Sequence, residues 1–252
     1  MDADHPAEEY KITHILKGYK PLCFVGKKLL VFKKGKLYLL DLASMNKRMV
    51  VRVPRPFWHG ILGQFRSPTR LLRLEPRAAV YSNGTVYFGY QGFMFKLKPQ
   101  SATIEVAHQF RDRMQAPLVI AQIANIPGFD DIVCYGEYFG NPSMESVSIV
   151  GKRGDSKDWV EMYRFEKGQI NHIHSIVPDS HNDRVWVLTG DTDEASAIWY
   201  SDDNLQTLNR FLGGKQKYRC CSVFPTRGGI VYATDTPLRE NHIYSVNLTD
   251  KS

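Results

Sequence analysis

The chain has 252 residues, a formal net charge of +7, and a composition that is 43% hydrophobic and 12% aromatic. This is enough apolar material for a domain with a full core, which excludes an intrinsically disordered chain. No run of about 18 apolar residues occurs and no apolar leader follows the acidic first residues, so we expect neither a membrane span nor a secretory signal.

Short apolar runs, bounded by Gly, Asn, Asp and Ser, repeat along the chain and predict β-strands. Residues 1–9 are polar and are expected to be disordered, and residues 10–16 (YKITHIL) alternate weakly and predict a lone strand. The first two groups of strands are predicted at 22–25, 29–32, 37–42 and 49–53, and at 78–81, 85–89, 93–97 and 103–108. Between these groups, residues 54–74 form the longest break in the repeat, a length typical of functional loops.

The repeat continues through the second half of the chain. Strands are predicted at 118–123, 131–135, 147–150 and 159–165, then at 173–177, 184–188, 197–200 and 207–212, and finally at 220–224, 229–233 and 243–246. Four strands in about 43 residues is the size of one β-propeller blade. We therefore predict an all-β fold, a β-propeller of about five four-stranded blades, as one domain over residues 1–252.

The last predicted blade is one strand short of four. A propeller ring must close, because an open ring leaves edge strands with unpaired main-chain groups. Either residues 10–16 supply the missing strand, or the chain is a fragment of a six- or seven-bladed propeller. The ending at Lys251 and Ser252 favours the fragment.

The four cysteines and the positive charge indicate the environment and the partners. Cys220 and Cys221 are adjacent and rarely pair, and Cys23 and Cys134 lie in apolar runs, so we expect reduced thiols and a cytoplasmic protein. The net charge favours a polyanionic partner. A basic–aromatic RNA signature is missing, so an acidic carbohydrate is expected rather than nucleic acid.

One turn has a specific motif. Residues 201–208, SDDNLQTL, follow the predicted strand AIWY. They resemble the Asp-box, S-x-D-x-G-x-T-W, of the sialidase superfamily and related BNR-repeat propellers. Ser201, Asp203 and Thr207 match the motif, whereas Leu205 and Leu208 stand where the motif has Gly and Trp.

A second stretch, GKRGDSKDW at residues 151–159, keeps Gly154, Asp155 and Trp159 in a shifted frame. Both degenerate copies lie at the predicted turn between the third and fourth strands of adjacent blades, and the resemblance covers residues 135–244. It implies a structural role, in which the Asp accepts backbone N–H bonds inside the turn and the aromatic side chain packs between strands.

Polar residues recur at one set of strand ends. In a propeller, the loops entering the first strands and the loops joining the second and third strands share one face. Eight candidate residues lie after second strands or at the starts of first strands: Glu137, Tyr138, His172, His174, Asp191, Tyr218, Arg219 and Asp235. We therefore expect them to form one site.

The histidines are the most informative members of this set. His172 and His174 are two residues apart on a strand, so they point to one side. They could ligate one divalent metal ion, with Asp191 or Glu137 completing the set of ligands. They could instead act as acid and base, or merely hydrogen-bond neighbouring loops. The candidate catalytic residues are thus Glu137, His172, His174 and Asp191.

The remaining candidates are predicted to bind substrate. Arg219 could clamp a carboxylate or a sulfate, and Tyr138 could stack on a sugar ring, as could Trp58. Tyr218 and Asp235 lie at matching positions of the last blade and complete the set.

The sialidase resemblance implies an arginine triad, a Tyr–Glu nucleophile pair and an Asp acid. Arg219 is one candidate arginine, and Arg70, Arg73 and Arg77 are others, but no motif fixes them, and the His-x-His pair is not part of that pattern. The face therefore favours a different reaction on an acidic glycan, either hydrolysis by two carboxylates or lyase-like proton abstraction by a histidine. The alternative is a non-catalytic propeller that serves as a protein-interaction scaffold, which would expose an apolar patch.

Overall fold

The computed structural model describes residues 16–54, 74–237 and 239–250, and these residues are almost entirely antiparallel β-sheet. The first sheet contains β1 (Lys20–Val25), β2 (Lys28–Lys33), β3 (Lys36–Asp41) and β4 (Lys47–Arg52). The second contains β5 (Ala79–Ser82), β6 (Thr85–Tyr90), β7 (Phe93–Lys98) and β8 (Thr103–Gln109). The third contains β9 (Ile120–Ile123), β10 (Ile132–Gly136), β11 (Val147–Arg153) and β12 (Val160–Phe165).

The remaining two sheets follow the same plan. The fourth contains β13 (His172–Asp179), β14 (Arg184–Gly190), β15 (Ala197–Ser201) and β16 (Asn209–Gly213). The fifth contains β17 (Cys220–Thr226), β18 (Gly229–Thr234) and β19 (Ile243–Asn247). In every sheet the strands lie side by side in chain order, so each sheet is a simple meander.

The sheets are arranged as the blades of a propeller. The first strands contact one another in series, β1 with β5, β5 with β9, β9 with β13 and β13 with β17. The all-β fold and the propeller of about five blades are thereby confirmed. The fifth blade has three strands within the described residues, which is the number that the sequence predicts for it. The strand predicted at 10–16 and the loop at 54–74 fall, apart from their end residues Leu16, Pro54 and Leu74, outside the described residues, as do residues 1–9.

The core consists of apolar layers between adjacent blades. One cluster lies between the first and second blades, one extends from the second to the fourth, and one lies between the fourth and fifth. Trp186, Tyr135 and Phe88 are among the largest side chains that are fully buried. Within the described part of the chain, no helix is long and apolar enough to cross a membrane.

Glycines let neighbouring blades approach closely at the ends of the second strands. A Cβ added at Gly89 would lie 3.0 Å from Cδ of Pro117, and one at Gly190 would lie 2.5 Å from Cε1 of His174. At Gly136 an added Cβ would collide with the side chain of Ile173. Pro117 and Ile173 precede or belong to the first strand of the next blade, whereas His174 belongs to the first strand of the same blade as Gly190. At Gly190 the next blade is reached through Cγ of Arg219, 3.3 Å from the added Cβ. None of these positions can carry a side chain without displacing a neighbour.

The turn between β15 and β16 has the hydrogen bonding that the sequence predicts. The carboxylate of Asp203 accepts hydrogen bonds from the Thr207 backbone N–H at 2.9 Å, the Ser201 hydroxyl at 2.8 Å and the Thr207 hydroxyl at 2.6 Å. Because Thr207 is held in this turn, β16 begins at Asn209 and not at 207 as predicted.

The second Asp-box-like stretch, at residues 151–159, is different. No hydrogen bond to the Asp155 carboxylate is present in the described structure, whereas the Trp159 ring packs on His108, with centroids 5.6 Å apart, and on Tyr135 and Tyr87. Trp159 therefore has the packing role expected of it. Of the two Asp-box-like stretches, the one with Asp203 has the expected hydrogen bonds to its carboxylate.

Replacing Asp203 with alanine is expected to lower the free energy of unfolding by about 1–2 kcal/mol, because the substitution removes three hydrogen bonds that fix the turn. The exposed neighbour Asp202 gives a matched control, for which Asp202→Ala should change stability by less than about 0.5 kcal/mol. Urea denaturation followed by circular dichroism measures both. Equal effects of the two substitutions would argue against a structural role for the Asp203 carboxylate.

Candidate functional site

A bulge at the start of β13 brings the two histidines together. His172 pairs with Gly190 and Ile173 with Thr189, but the register then shifts so that His174 is an extra residue. The two imidazoles face each other, with their Nε2 atoms 3.1 Å apart, and both side chains are buried. The prediction that they point to one side is therefore correct.

Asp191, the first residue after β14, completes a compact group. Its Oδ2 lies 3.2 Å from His172 Nε2 and its Oδ1 lies 3.6 Å from His174 Nε2. The guanidinium of Arg219 lies on the other side of the carboxylate, with Nη2 2.9 Å from Oδ1. The hydrogen bond from His172, together with the charges of His172 and Arg219, holds the pKa of Asp191 well below its ordinary value.

The orientation of His174 is fixed from behind. Its Nδ1 lies 3.0 Å from the carbonyl oxygen of Cys220, which can only accept, so Nδ1 carries the proton. The Nε2 atom of His174 is then free to accept a hydrogen bond from His172 Nε2, which lies 3.1 Å away. The imidazole ring of His174 also lies against Gly190, which has no side chain to displace it. This arrangement is typical of imidazoles that ligate metals.

The main chain at Asp191 is held on both sides. Its N–H donates to the side-chain oxygen of Asn171 at 3.3 Å, and its carbonyl accepts from the Gln216 side chain at 2.9 Å. Asn171 is itself tied to Asn141, whose side chain donates to the Asn171 carbonyl at 2.8 Å. Gln216 belongs to a 3-10 turn (Gln216–Tyr218) that the sequence did not predict, because three residues are too few for a periodic pattern.

Tyr138 and Arg77 extend the group towards the second and third blades. The Tyr138 ring lies 4.3 Å from the His172 ring, centroid to centroid. The guanidinium carbon of Arg77 lies 4.9 Å from the centroid of Tyr138. Arg77 was one of the arginines offered by the sequence, whereas Arg70, Arg73 and Trp58 lie outside the described residues.

Glu137 is not brought to the histidines by any described contact. Its Oε2 accepts from Arg111 Nη1 at 3.1 Å and from the Ser148 N–H at 2.9 Å, and the side chain is buried. The Glu137 carboxylate is therefore already paired with Arg111. Only its backbone reaches the next blade, through a 3.1 Å hydrogen bond from the Ile173 N–H to the Glu137 carbonyl.

The two predicted binding residues of the fifth blade border the group. The Asp235 N–H donates to the Arg219 carbonyl at 2.9 Å, and its exposed carboxylate accepts from the Cys221 thiol at 3.1 Å. Tyr218 is half-buried, and the Lys217 ammonium lies 4.9 Å from its ring centroid. All four cysteines are free thiols, as expected from their positions.

The three clustered side chains suit a divalent metal ion. One donor atom from each of His172, His174 and Asp191 lies within 4.8 Å of the others. Ligands about 2.1 Å from a metal at tetrahedral angles lie roughly 3.4 Å apart, and the shortest separations here, 3.1 Å between the histidines and 3.2 Å from His172 to Asp191, are close to this spacing. Two imidazoles and one carboxylate are a common donor set for zinc, iron and manganese.

Two buried polar atoms of this group have no hydrogen-bond partner in the described structure. These atoms are His172 Nδ1 and Arg219 Nε. Such atoms are rare in proteins and often mark a position where a ligand or an ordered water belongs. Sequence reasoning found His172 and Arg219, but it missed Gln216, Asn171 and the Cys220 carbonyl, for which no motif exists.

Comparison with known proteins supports the fold. No family model matches the chain, and no curated protein matches its sequence. Among solved structures, the extracellular domain of a putative one component system from B. thetaiotaomicron is 12% identical, with a TM-score of 0.57 over 90% of this chain and 28% of that one. An oligogalacturonate lyase from Vibrio parahaemolyticus is 11% identical, with a TM-score of 0.54 over 90% of this chain and 61% of the other.

A third similar structure is the calcium-binding protein regucalcin from Agrobacterium tumefaciens, at 11% identity and a TM-score of 0.53, over 95% of this chain and 73% of the other. The fold therefore defines the class of protein, which is the β-propeller. The chain spans between about a quarter and three quarters of the length of these three structures. At such low identity the likeness is one of architecture.

Proposed function

We propose that the chain is a carbohydrate-active β-propeller that acts on or binds an acidic glycan, with a divalent metal ion at His172, His174 and Asp191. The observation that carries this proposal is the convergence of two buried imidazoles and the Arg219 guanidinium on one carboxylate, that of Asp191, at 2.9 to 3.6 Å. Titratable groups that converge in this way, with the pKa of the carboxylate strongly lowered, are more typical of functional sites than of scaffolds.

Each group has a part in this proposal. Asp191 directs Oδ2 to His172 and Oδ1 to His174 and Arg219, so it can ligate a metal through Oδ2 while the arginine holds Oδ1 in place. A bound divalent ion would polarise a carboxylate or hydroxyl oxygen of the sugar. Because His174 is protonated on Nδ1, its Nε2 can either ligate the ion or accept a proton.

The acidity of the ligand follows from the arginines. Arg219 lies against Asp191, and Arg77 lies against the Tyr138 ring, which itself contacts His172. Guanidinium groups bind carboxylates and sulfates through paired hydrogen bonds, and the Tyr138 ring offers an apolar surface for a sugar ring. One solved propeller of similar fold is an oligogalacturonate lyase, so this architecture accommodates chemistry on an acidic sugar.

The first test is metal uptake followed by a glycan screen. We expect the purified chain to bind Mn²⁺ or Zn²⁺ with 1:1 stoichiometry by calorimetry, and His172→Ala to weaken this binding by at least about 100-fold, because one of three protein ligands is lost. Oligogalacturonates, alginate oligomers and sulfated oligosaccharides are then assayed with and without chelator. Ultraviolet absorbance of unsaturated products reports a lyase, and reducing ends report a hydrolase.

The matched control is His181→Ala, which removes an exposed histidine from a turn of the same blade. It should leave both metal uptake and glycan processing unchanged. If wild type takes up no metal and neither binds nor cleaves any acidic glycan in the panel, the proposal is wrong.

A second candidate function, a protein-interaction scaffold, is favoured by one surface. Phe224 and Ile243 are 72% and 78% exposed and lie on the same face of the fifth blade, beside Val231 and Ala233. Apolar side chains exposed together are a common feature of interaction sites. This candidate does not account for the buried histidines, and it predicts no glycan binding in the screen above.

A further inference from the structure

A separate cavity lies beside the candidate site, in the fifth blade. Its volume is about 280 Å³, and it is bounded by the 3-10 turn and by the loop that joins β18 to β19. The loop between second and third strands belongs to the face that carries the histidines, so the cavity opens on the functional face. None of the residues that bind the proposed metal line it.

The lining of this cavity is cationic and polar. Lys217, Arg239 and His242 contribute basic groups, and Glu240 is the single acidic residue among its lining residues. The side chains of Lys217 and Arg239 belong to exposed residues and face solvent without a salt bridge in the described structure. An anion entering the cavity would therefore meet donors that are not already engaged with carboxylates.

The floor of the cavity is built by a fixed network of hydrogen bonds. The hydroxyl of Thr234 accepts from the His242 N–H at 2.8 Å and donates to the Asn241 side chain at 3.0 Å. The same Asn241 oxygen accepts from the Thr236 N–H at 2.8 Å. Thr234 and Thr236 are buried, so this part of the loop is shaped before any ligand arrives.

The cavity lies one strand away from the histidines. Thr234 pairs with Cys220 across the sheet, and the Cys220 carbonyl is the group that orients His174. Paired strands are about 4.8 Å apart, so β17 alone separates the floor of the cavity from the ring of His174. Lys217 is also only two residues from Arg219, with the half-buried Tyr218 between them.

We propose that this cavity is a second anion subsite, which takes the acid group of the neighbouring residue when an acidic oligosaccharide is bound. The inference rests on the proposed function and narrows it: the ligand is an oligomer with acid groups on successive residues, and a single uronic acid is only a partial ligand. Tyr218, which joins Lys217 of the cavity to Arg219 of the metal site in the sequence, is the residue that we expect to contact the linkage.

The test compares galacturonic acid with trigalacturonate by calorimetry in the presence of Mn²⁺. Wild type should bind the trimer at least about tenfold more tightly than the monomer. Arg239→Ala should remove about tenfold of the trimer affinity, and the double substitution Lys217→Ala, Arg239→Ala about 100-fold, because each change deletes a charge-assisted hydrogen bond. Monomer affinity and Mn²⁺ uptake should not change in either variant.

Arg227→Ala is the matched control, since Arg227 is an exposed arginine in the turn at the other end of the same blade. An equal loss of trimer affinity in this control would mean that only net charge matters, and it would overturn the subsite. The subsite would also be overturned if the trimer bound wild type no more tightly than the monomer does, or if the double variant bound the trimer as tightly as wild type. In those results the monomer still binds, so the proposed function stands; if neither sugar binds to wild type, both proposals fall.

Discussion

Replacing Gly190 with alanine is expected to weaken divalent metal binding by about 100-fold and to lower the free energy of unfolding by about 1–3 kcal/mol. A Cβ at this position would lie 2.5 Å from Cε1 and 3.1 Å from Nε2 of His174, and 3.3 Å from Cγ of Arg219. The imidazole must therefore move, but its hydrogen bond to the Cys220 carbonyl opposes that movement. The metal-binding geometry is lost although no ligand residue is changed.

Gly140→Ala is the control for this experiment. Nothing lies within 4 Å of an added Cβ at Gly140, and the residue is exposed, so the substitution should alter neither stability nor metal affinity. Calorimetry with Mn²⁺ and Zn²⁺ measures the first effect, and urea denaturation without metal measures the second. A Gly190→Ala protein that binds metal as tightly as wild type would show that His174 is not a ligand.

Replacing Trp186 with alanine is expected to destabilise the fold by about 3–5 kcal/mol, the largest effect of any single substitution considered for this chain. Trp186 is fully buried between the fourth and fifth blades, with its ring 5.4 Å from that of Phe211. Its indole N–H also donates to the buried carboxylate of Asp179 at 2.9 Å. Truncation therefore leaves a large cavity and removes one donor from a buried charge.

A comparison with Trp186→Phe separates the two contributions. Phenylalanine keeps most of the apolar contact but not the N–H, so it should cost about 1–3 kcal/mol. The Asp179 carboxylate would still accept from the His181 and Asn182 main-chain N–H groups. Guanidinium denaturation followed by far-ultraviolet circular dichroism measures both variants. Destabilisation by the alanine variant of under about 1 kcal/mol would contradict this account of the core.

Much of the fold could be predicted because the strands are short, apolar and bounded by strong turn residues. The Ser82, Asn83 and Gly84 turn, for example, joins β5 and β6 where the sequence places it, and Asn83 and Gly84 both adopt positive φ. Such turns are decided by local chemistry, so residues close in the sequence suffice. The closure of the ring depends on contacts between distant segments, and it stays a prediction.

The site could be predicted only where topology alone brings residues together. His172, His174, Asp191 and Arg219 meet because first-strand starts and second-strand ends of adjacent blades share one face. Glu137 occupies an equivalent position, but its carboxylate turns to Arg111, 26 residues earlier in the chain. Which of two neighbouring partners a side chain selects depends on three-dimensional geometry, and no pattern in the sequence encodes it.

The chain-order meander of each sheet has a consequence for how the molecule is made. Every strand in the described ranges pairs only with a strand adjacent to it in the sequence, so each sheet completes its ladders from roughly 30 to 45 consecutive residues. A chain emerging from the ribosome can thus satisfy the main-chain groups of one unit before the next is translated. The packing of side chains between two sheets forms only after the second of them has been translated. The histidine–carboxylate–arginine cluster needs both the fourth and the fifth blades, so it is assembled last.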